Sequence, residues 1–86
     1  MQIEIQLFGP LREQAQDGRL CLTVPDDCRV RDVRIALAAH VTPLWQESFI
    51  GLLTVSAFAD EQAILRDDDS IADGARLAVL PPVNGG

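Results

Sequence analysis

Apolar and polar residues alternate in two stretches near the start of the chain, residues 2–7 and 20–24. A two-residue period is typical of a strand with one buried face. The predicted core-facing residues are Ile3, Ile5 and Leu7 in the first strand and Leu20, Leu22 and Val24 in the second. Residues 11–16 form a helical turn or a loop before the Asp17-Gly18 turn. A connection this short predicts an antiparallel hairpin.

The period then changes to that of a helix, which we predict over residues 30–40. Val30, Val33 and Leu37 recur at helical spacing and form its apolar face. His40 lies near the end of this helix, where a cationic side chain suits the helix dipole. We assign it this structural role rather than a catalytic one because no partner residue accompanies it.

A short second helix is predicted at residues 44–49. Pro43 lies near its first turn and Gly51 follows its end. Trp45 and Phe49 are four residues apart and therefore share one face, which we assign to the core.

Three further strands are predicted at residues 52–58, 64–65 and 76–80, where β-branched, aromatic and aliphatic residues return. The acidic run Asp67-Asp68-Asp69 lacks the ligand spacing of a calcium loop, so we interpret it as a solvated loop. Asp73-Gly74 is a turn before the last strand.

This order of elements predicts an α+β domain. A mixed sheet of four or five strands packs on one main helix, because the helix must bury its apolar face on the sheet. The first and last strands are expected side by side in the centre of the sheet.

Composition excludes several classes of partner. The 86 residues suffice for one domain, with a net charge of −6 and a pI near 4.4. This charge repels phosphate backbones and anionic lipid, so we expect no nucleic acid or membrane partner and favour one with a basic patch. No apolar run is long enough to cross a bilayer, and residues 1–4 lack the features of a signal peptide. A cytoplasmic location is expected.

The two cysteines, Cys21 and Cys28, have neither the spacing nor the companion ligands of a zinc site. In a reducing cytoplasm, free thiols are favoured over a structural disulfide.

The most informative stretch is the last seven residues, Leu80-Pro81-Pro82-Val83-Asn84-Gly85-Gly86. Prolines stiffen the exit from the domain, and glycines without a Cβ can enter a narrow slot. Residues 81–86 reach about 20 Å when extended. They are predicted as a flexible, reactive tail following a domain at residues 1–80. The alternative is an ordinary disordered chain end.

The element order, the Phe8-Gly9-Pro10-Leu11-Arg12-Glu13 stretch and the Pro-Pro-Val-Asn-Gly-Gly ending resemble the small subunit of molybdopterin synthase. That family belongs to the β-grasp sulfur carriers related to ubiquitin. The resemblance covers essentially the whole chain. This sequence departs from the family's pattern at Ala75, where an acidic residue is common.

The resemblance implies a function for the tail. A partner activating enzyme would use ATP and Mg²⁺ to convert the Gly86 carboxylate to an adenylate. A sulfur donor would then convert the adenylate to a thiocarboxylate, and the tail would deliver this sulfur to a pterin precursor in the large subunit during molybdenum cofactor biosynthesis. The chain itself would bind no cofactor and no metal. It would be one part of a sulfurtransferase with two small and two large subunits, whose acid-base residues lie on the large subunit.

The resemblance also assigns partner-binding residues. Gly85 must be slender for adenylation and insertion, Phe8 and Leu80 form an apolar docking patch, and residues 81–84 make the stem. Core packing is the alternative for Phe8 and Leu80. Arg12 and Glu13 contribute rim contacts or only a surface pair.

Three other functions stay open at this point. They are a sulfur carrier for another pathway such as thiazole synthesis, a ubiquitin-like modifier, and a β-grasp interaction module without covalent chemistry.

Overall fold

The computed structural model describes residues 1–82, which form five strands and two α-helices. The elements in chain order are β1 (Gln2–Leu7), β2 (Arg19–Thr23), α1 (Val30–Val41), α2 (Glu47–Thr54), β3 (Ala57–Ala59), β4 (Ile64–Leu65) and β5 (Arg76–Leu80). Two 3₁₀ turns, Gly9–Gln14 and Gln16–Gly18, connect β1 to β2. Both Asp17 and Gly18 have positive φ, as the predicted turn requires.

The strands form one mixed sheet in the order β2-β1-β5-β3-β4. β1 pairs antiparallel with β2, as the predicted hairpin requires, and parallel with β5. The first and last strands therefore lie side by side in the centre, which confirms the sequence prediction. β3 pairs antiparallel with both β5 and β4.

The core lies between one face of this sheet and helix α1. The apolar residues of β1 and β5 face this core because they alternate with polar residues, and those of α1 face it because they recur at helical spacing. These buried residues are Ile3, Ile5, Leu7, Leu77 and Val79 from the strands and Val30, Val33, Leu37 and Val41 from the helix. Trp45 is also buried, and Phe49 packs against the core. The predicted core faces are confirmed.

The sequence prediction is wrong between residues 44 and 58. Helix α2 begins at Glu47 and runs through Gly51 to Thr54, so the third strand is confined to Ala57–Ala59. Trp45 and Pro43 precede the helix instead of lying in it.

Two contacts explain why residues 52–54 are helical despite their strand-like composition. As part of helix α2, Leu53 is fully buried in the core. The guanidinium of Arg34 on α1 donates hydrogen bonds to the carbonyls of Thr54 and Ser56 at the end of α2. Tertiary packing and these hydrogen bonds outweigh the weak local preference.

The acidic loop is held by arginines of helix α1 and its N-cap. Arg29 donates to the carbonyl of Asp68, Arg31 pairs with the Asp68 carboxylate, and Arg34 pairs with Asp67. The Asp67 and Asp68 side chains stay largely exposed, as predicted for a solvated loop, but the loop is fastened to the helix.

Both cysteines are free, with Cys21 exposed and Cys28 buried. His40 is exposed in the last turn of α1, the position that its structural assignment requires. Neither α1 nor α2, the α-helices of residues 1–82, has the length and apolar character needed to cross a membrane.

Candidate functional site

The parallel pairing of β1 and β5 brings two distant parts of the chain together at one end of the sheet. In this register Leu7 lies opposite Val79, so Phe8 and Leu80 are the next residues on neighbouring strands. Gly9 follows with a φ of +60°, a conformation that side-chain-bearing residues rarely adopt. A Cβ built on Gly9 would lie 3.5 Å from Cγ of Pro81, so the turn after β1 contacts the start of the C-terminal stem.

These residues line an open groove of about 470 Å³ with an apolar surface. Its lining residues are Phe8, Gly9, Pro10, Leu80, Pro81 and Pro82. Phe8 is 39% exposed, so core packing is excluded for this side chain. Leu80 and Pro81 are half-buried and Pro82 is exposed. The structure thus brings the predicted patch residues Phe8 and Leu80 together with the first two residues of the stem.

The other predicted site residues, Val83, Asn84, Gly85 and Gly86, lie outside the described residues. Their roles stay predictions from the sequence. The described chain enters this segment from the groove, because Pro81 and Pro82 belong to both the groove and the stem.

A second, more polar pocket adjoins the groove and shares Phe8 with it. Gln6, Leu7, Phe8, Arg12, Asp17 and Arg19 line this pocket. Arg12 and Arg19 form no ion pair within residues 1–82. A Cβ on Gly18 would come within 2.9 Å of Cγ of Arg12, so the absence of a side chain at this glycine leaves room for the aliphatic part of the Arg12 side chain.

The sequence prediction missed three contributors to this end of the molecule, Gly9, Pro10 and Arg19. Gly9 and Pro10 entered the sequence prediction only as part of the stretch that carries the resemblance, and Arg19 was not considered. The available signal was the register of the parallel pair, because residues next to Phe8 on one strand must approach residues next to Leu80 on the other.

The described residues offer little chemistry of their own. Residues 1–82 contain no group of three or more acidic, histidine or cysteine side chains arranged to hold a metal ion. Burial raises the pKa of the Cys28 thiol, aided by the nearby Asp32 carboxylate, which disfavours the nucleophilic thiolate. Backbone N–H groups of Gln62 and Ala63 donate to Asp60 and hold its pKa below the usual value, as in an ordinary Asx turn.

Comparison with solved structures gives the same fold over the full length. SAMP1 from Haloferax volcanii is 26% identical with a TM-score of 0.70, and the alignment covers 100% of both chains. A chain from the complex of subunits 1 and 2 of the molybdopterin-converting factor of Helicobacter pylori is 25% identical, with a TM-score of 0.63 and 100% coverage of both chains. The ubiquitin of Caldiarchaeum subterraneum, at 20% identity and a TM-score of 0.62, covers 100% of this chain and 98% of its own.

The mixed sheet, the single main helix and these neighbours define the chain as a ubiquitin-like β-grasp protein, which confirms the predicted fold class. The ThiS family model matches residues 5–86, and the chain belongs to the ThiS family. It therefore belongs to a family of ubiquitin-like sulfur carriers. A search of curated proteins found no match.

Proposed function

We propose that this chain is the small, sulfur-carrying subunit of a molybdopterin synthase and that Gly86 carries the sulfur as a thiocarboxylate. The observation that carries the proposal is the apolar groove of Phe8, Leu80 and Pro81 at the base of a stem that ends in Gly-Gly. The molybdopterin-converting factor complex of H. pylori supports this choice of pathway, because one of its chains is 25% identical to this chain over the whole of both.

A carboxylate is a poor acyl donor, so Gly86 must be activated. In our proposal a partner enzyme uses ATP and Mg²⁺ to form the Gly86 acyl-adenylate. A persulfide then attacks the acyl carbon and displaces AMP, and a thiol cleaves the resulting acyl disulfide. This last step leaves a thiocarboxylate and a disulfide. All of these steps take place in the cytoplasm and need no base from this chain.

In this proposal the groove supplies the binding energy for docking to the activating enzyme and to the large synthase subunit. Exposed apolar and aromatic side chains in a concave site are typical of the central part of a protein interface. Pro81 lies beside Gly9 in the groove and restricts the stem before binding, which lowers the cost of ordering the tail in a partner's channel. The activating enzyme and the large synthase subunit are the two proposed partners.

A ubiquitin-like modifier is the second candidate function. It is favoured by a second H. volcanii structure, described as small archaeal modifier protein 1, which is 25% identical over 95% of this chain. In that case the activated Gly86 would pass to an amine of a target protein, and no thiocarboxylate would be needed.

The decisive measurement is intact mass spectrometry of the chain after incubation with the host's candidate activating enzyme, ATP, Mg²⁺ and a persulfide donor. We expect a gain of about 16 Da located at Gly86, because sulfur replaces oxygen. The thiocarboxylated chain should then convert the pterin precursor when mixed with the candidate large subunit. A plain carboxylate under all of these conditions contradicts the carrier proposal, and amide-linked target proteins favour the modifier.

Two variants make this experiment specific to the tail. Gly85→Ala should block the mass gain, because the added Cβ obstructs a slot built for glycine. Gly51→Ala is the matched control, since a Cβ on Gly51 meets no atom within 4 Å. Equal yields from both variants would mean that the slenderness of the tail is irrelevant.

A further inference from the structure

The chain contains seven cationic residues and every one of them is an arginine. Lysine is among the commonest residues of globular proteins, so its absence from 86 residues is a distinctive feature. Its chemical consequence is direct. The lysine amine attacks activated acyl groups once deprotonated, whereas the arginine guanidinium stays protonated in proteins.

The contacts show that the structure requires an arginine at some of the seven positions but not at others. Arg34 uses its planar fork, because it donates to two carbonyls and pairs with Asp67. Arg12, Arg19 and Arg66, however, form no ion pair within residues 1–82 and are exposed. A lysine would serve equally well there as a solvated charge.

The remaining primary amine of the sequence, that of Met1, is occupied. Its ammonium group donates to the carbonyl of Val24 at 2.7 Å and to the carboxylate of Asp26 at 3.0 Å. An ammonium has no free lone pair, so it must lose a proton and leave both acceptors before it can attack. Because β1 and β5 are parallel, Met1 also lies at the end of β1 opposite to Pro81, about 26 Å away over eight residues at 3.3 Å per residue.

We propose that this chain offers no amine to its own activated C-terminus, so that the Gly86 acyl group can form an amide only with a different kind of molecule. The inference rests on the proposed activation of Gly86. Self-acylation would join an amine nitrogen of one copy to the Gly86 carbonyl carbon of another. The bond to AMP would break, and the amine proton would go to solvent. The product amide cannot be recharged with sulfur, so each such event would remove a carrier.

The exposed Cys21 thiol does not weaken this protection. Attack by a thiol forms a thioester, which remains an activated acyl group and can still be passed to a sulfur or amine nucleophile. The acceptors that fit the chain are therefore a sulfur nucleophile or an amine on another protein, and chains of copies joined by amide bonds are excluded.

The test starts with the wild-type chain, the host's activating enzyme, ATP and Mg²⁺, without a sulfur donor. Hydroxylamine in one arm reports activation, because it traps the adenylate as a Gly86 hydroxamate. Intact mass spectrometry of the other arm detects an amide-linked dimer. Arg66→Lys and Arg31→Lys each introduce an exposed amine outside the groove, and Arg66→Gln is the control without an amine.

We expect hydroxamate from all variants and amide-linked dimer from the lysine variants alone. A wild-type dimer overturns the inference, as does hydroxamate formation by the lysine variants without any dimer. Absence of hydroxamate from the wild-type chain is a separate result, because it removes the proposed activation and with it this inference.

Discussion

Arginines serve two regions of this molecule in different ways. At helix α1, Arg29, Arg31 and Arg34 are all engaged by acceptors within the chain, and they hold the acidic loop and the end of α2 in place. Beside the groove, Arg12 and Arg19 have no ion-pair partner within residues 1–82 and adjoin an exposed phenylalanine. The first region stabilises the fold, and the second leaves apolar surface and charge available to a partner.

The comparison also refines the expectation for the partner. A net charge of −6 favours a partner with a basic patch. Around the groove, however, the local charges include two arginines and Asp17, so a partner surface of mixed charge fits this region. Overall charge steers the approach, whereas the local arrangement decides the final contacts.

The largest expected effect is on stability, at the arginines of helix α1. Arg34→Met should lower the free energy of unfolding by about 2 kcal/mol, because it removes two hydrogen bonds to carbonyls, an ion pair and a cation–π contact with Phe58. Urea unfolding followed by the fluorescence of Trp45 measures this change. Partner binding should be retained in the folded fraction, and a loss of affinity comparable to that of a groove variant would contradict the separation of the two regions.

The next effect is on partner binding at the groove. Phe8→Ala should weaken binding to the activating enzyme about tenfold or more, equivalent to about 1.4 kcal/mol, while stability changes little because the side chain is exposed. Titration calorimetry measures the affinity. Ile35→Ala is the matched control, since Ile35 is an exposed apolar residue on α1 outside the groove. Equal losses from both variants would show that the groove has no special role.

A smaller effect is expected from the glycine that supports the stem. Gly9→Ala should cost about 1 kcal/mol of stability, because alanine is strained at a φ of +60°. Gly51→Ala in helix α2 should instead stabilise by about 0.5–1 kcal/mol. Urea midpoints for the two variants should therefore move in opposite directions, and a shift of Gly9→Ala toward greater stability would refute the strained-turn argument.

The smallest effect is expected at the exposed ion pair between helix α1 and the acidic loop. Arg31→Met should change stability by less than about 0.5 kcal/mol, because both Arg31 and its partner Asp68 are largely exposed to solvent. Differential scanning calorimetry at low and high salt tests this value. If Arg31→Met cost as much as Arg34→Met, the number of ion pairs rather than the burial of Arg34 would explain the stability of this region.

Sequence alone determined the elements that depend on short-range pattern. The alternation in β1, β2 and β5 and the helical period of α1 each mark a buried face, because side-chain direction repeats every two residues in a strand and every 3.6 in a helix. Together with the Gly-Gly ending, these patterns also identified the fold class and the pairing of the first and last strands. The docking role of Phe8 and Leu80 stays a prediction from the resemblance, and the structure places both residues in one groove.

Tertiary structure decided what the local pattern left ambiguous. Residues 52–54 have a strand-like composition but are helical, because Leu53 is buried and Arg34 binds the carbonyls at the end of the helix. Arg34 is 18 or more residues away in the sequence, so no local window contains this interaction. The groove depends on distance in the same way. Gly9 and Pro81 meet only because two strands from opposite ends of the chain run parallel in the middle of the sheet.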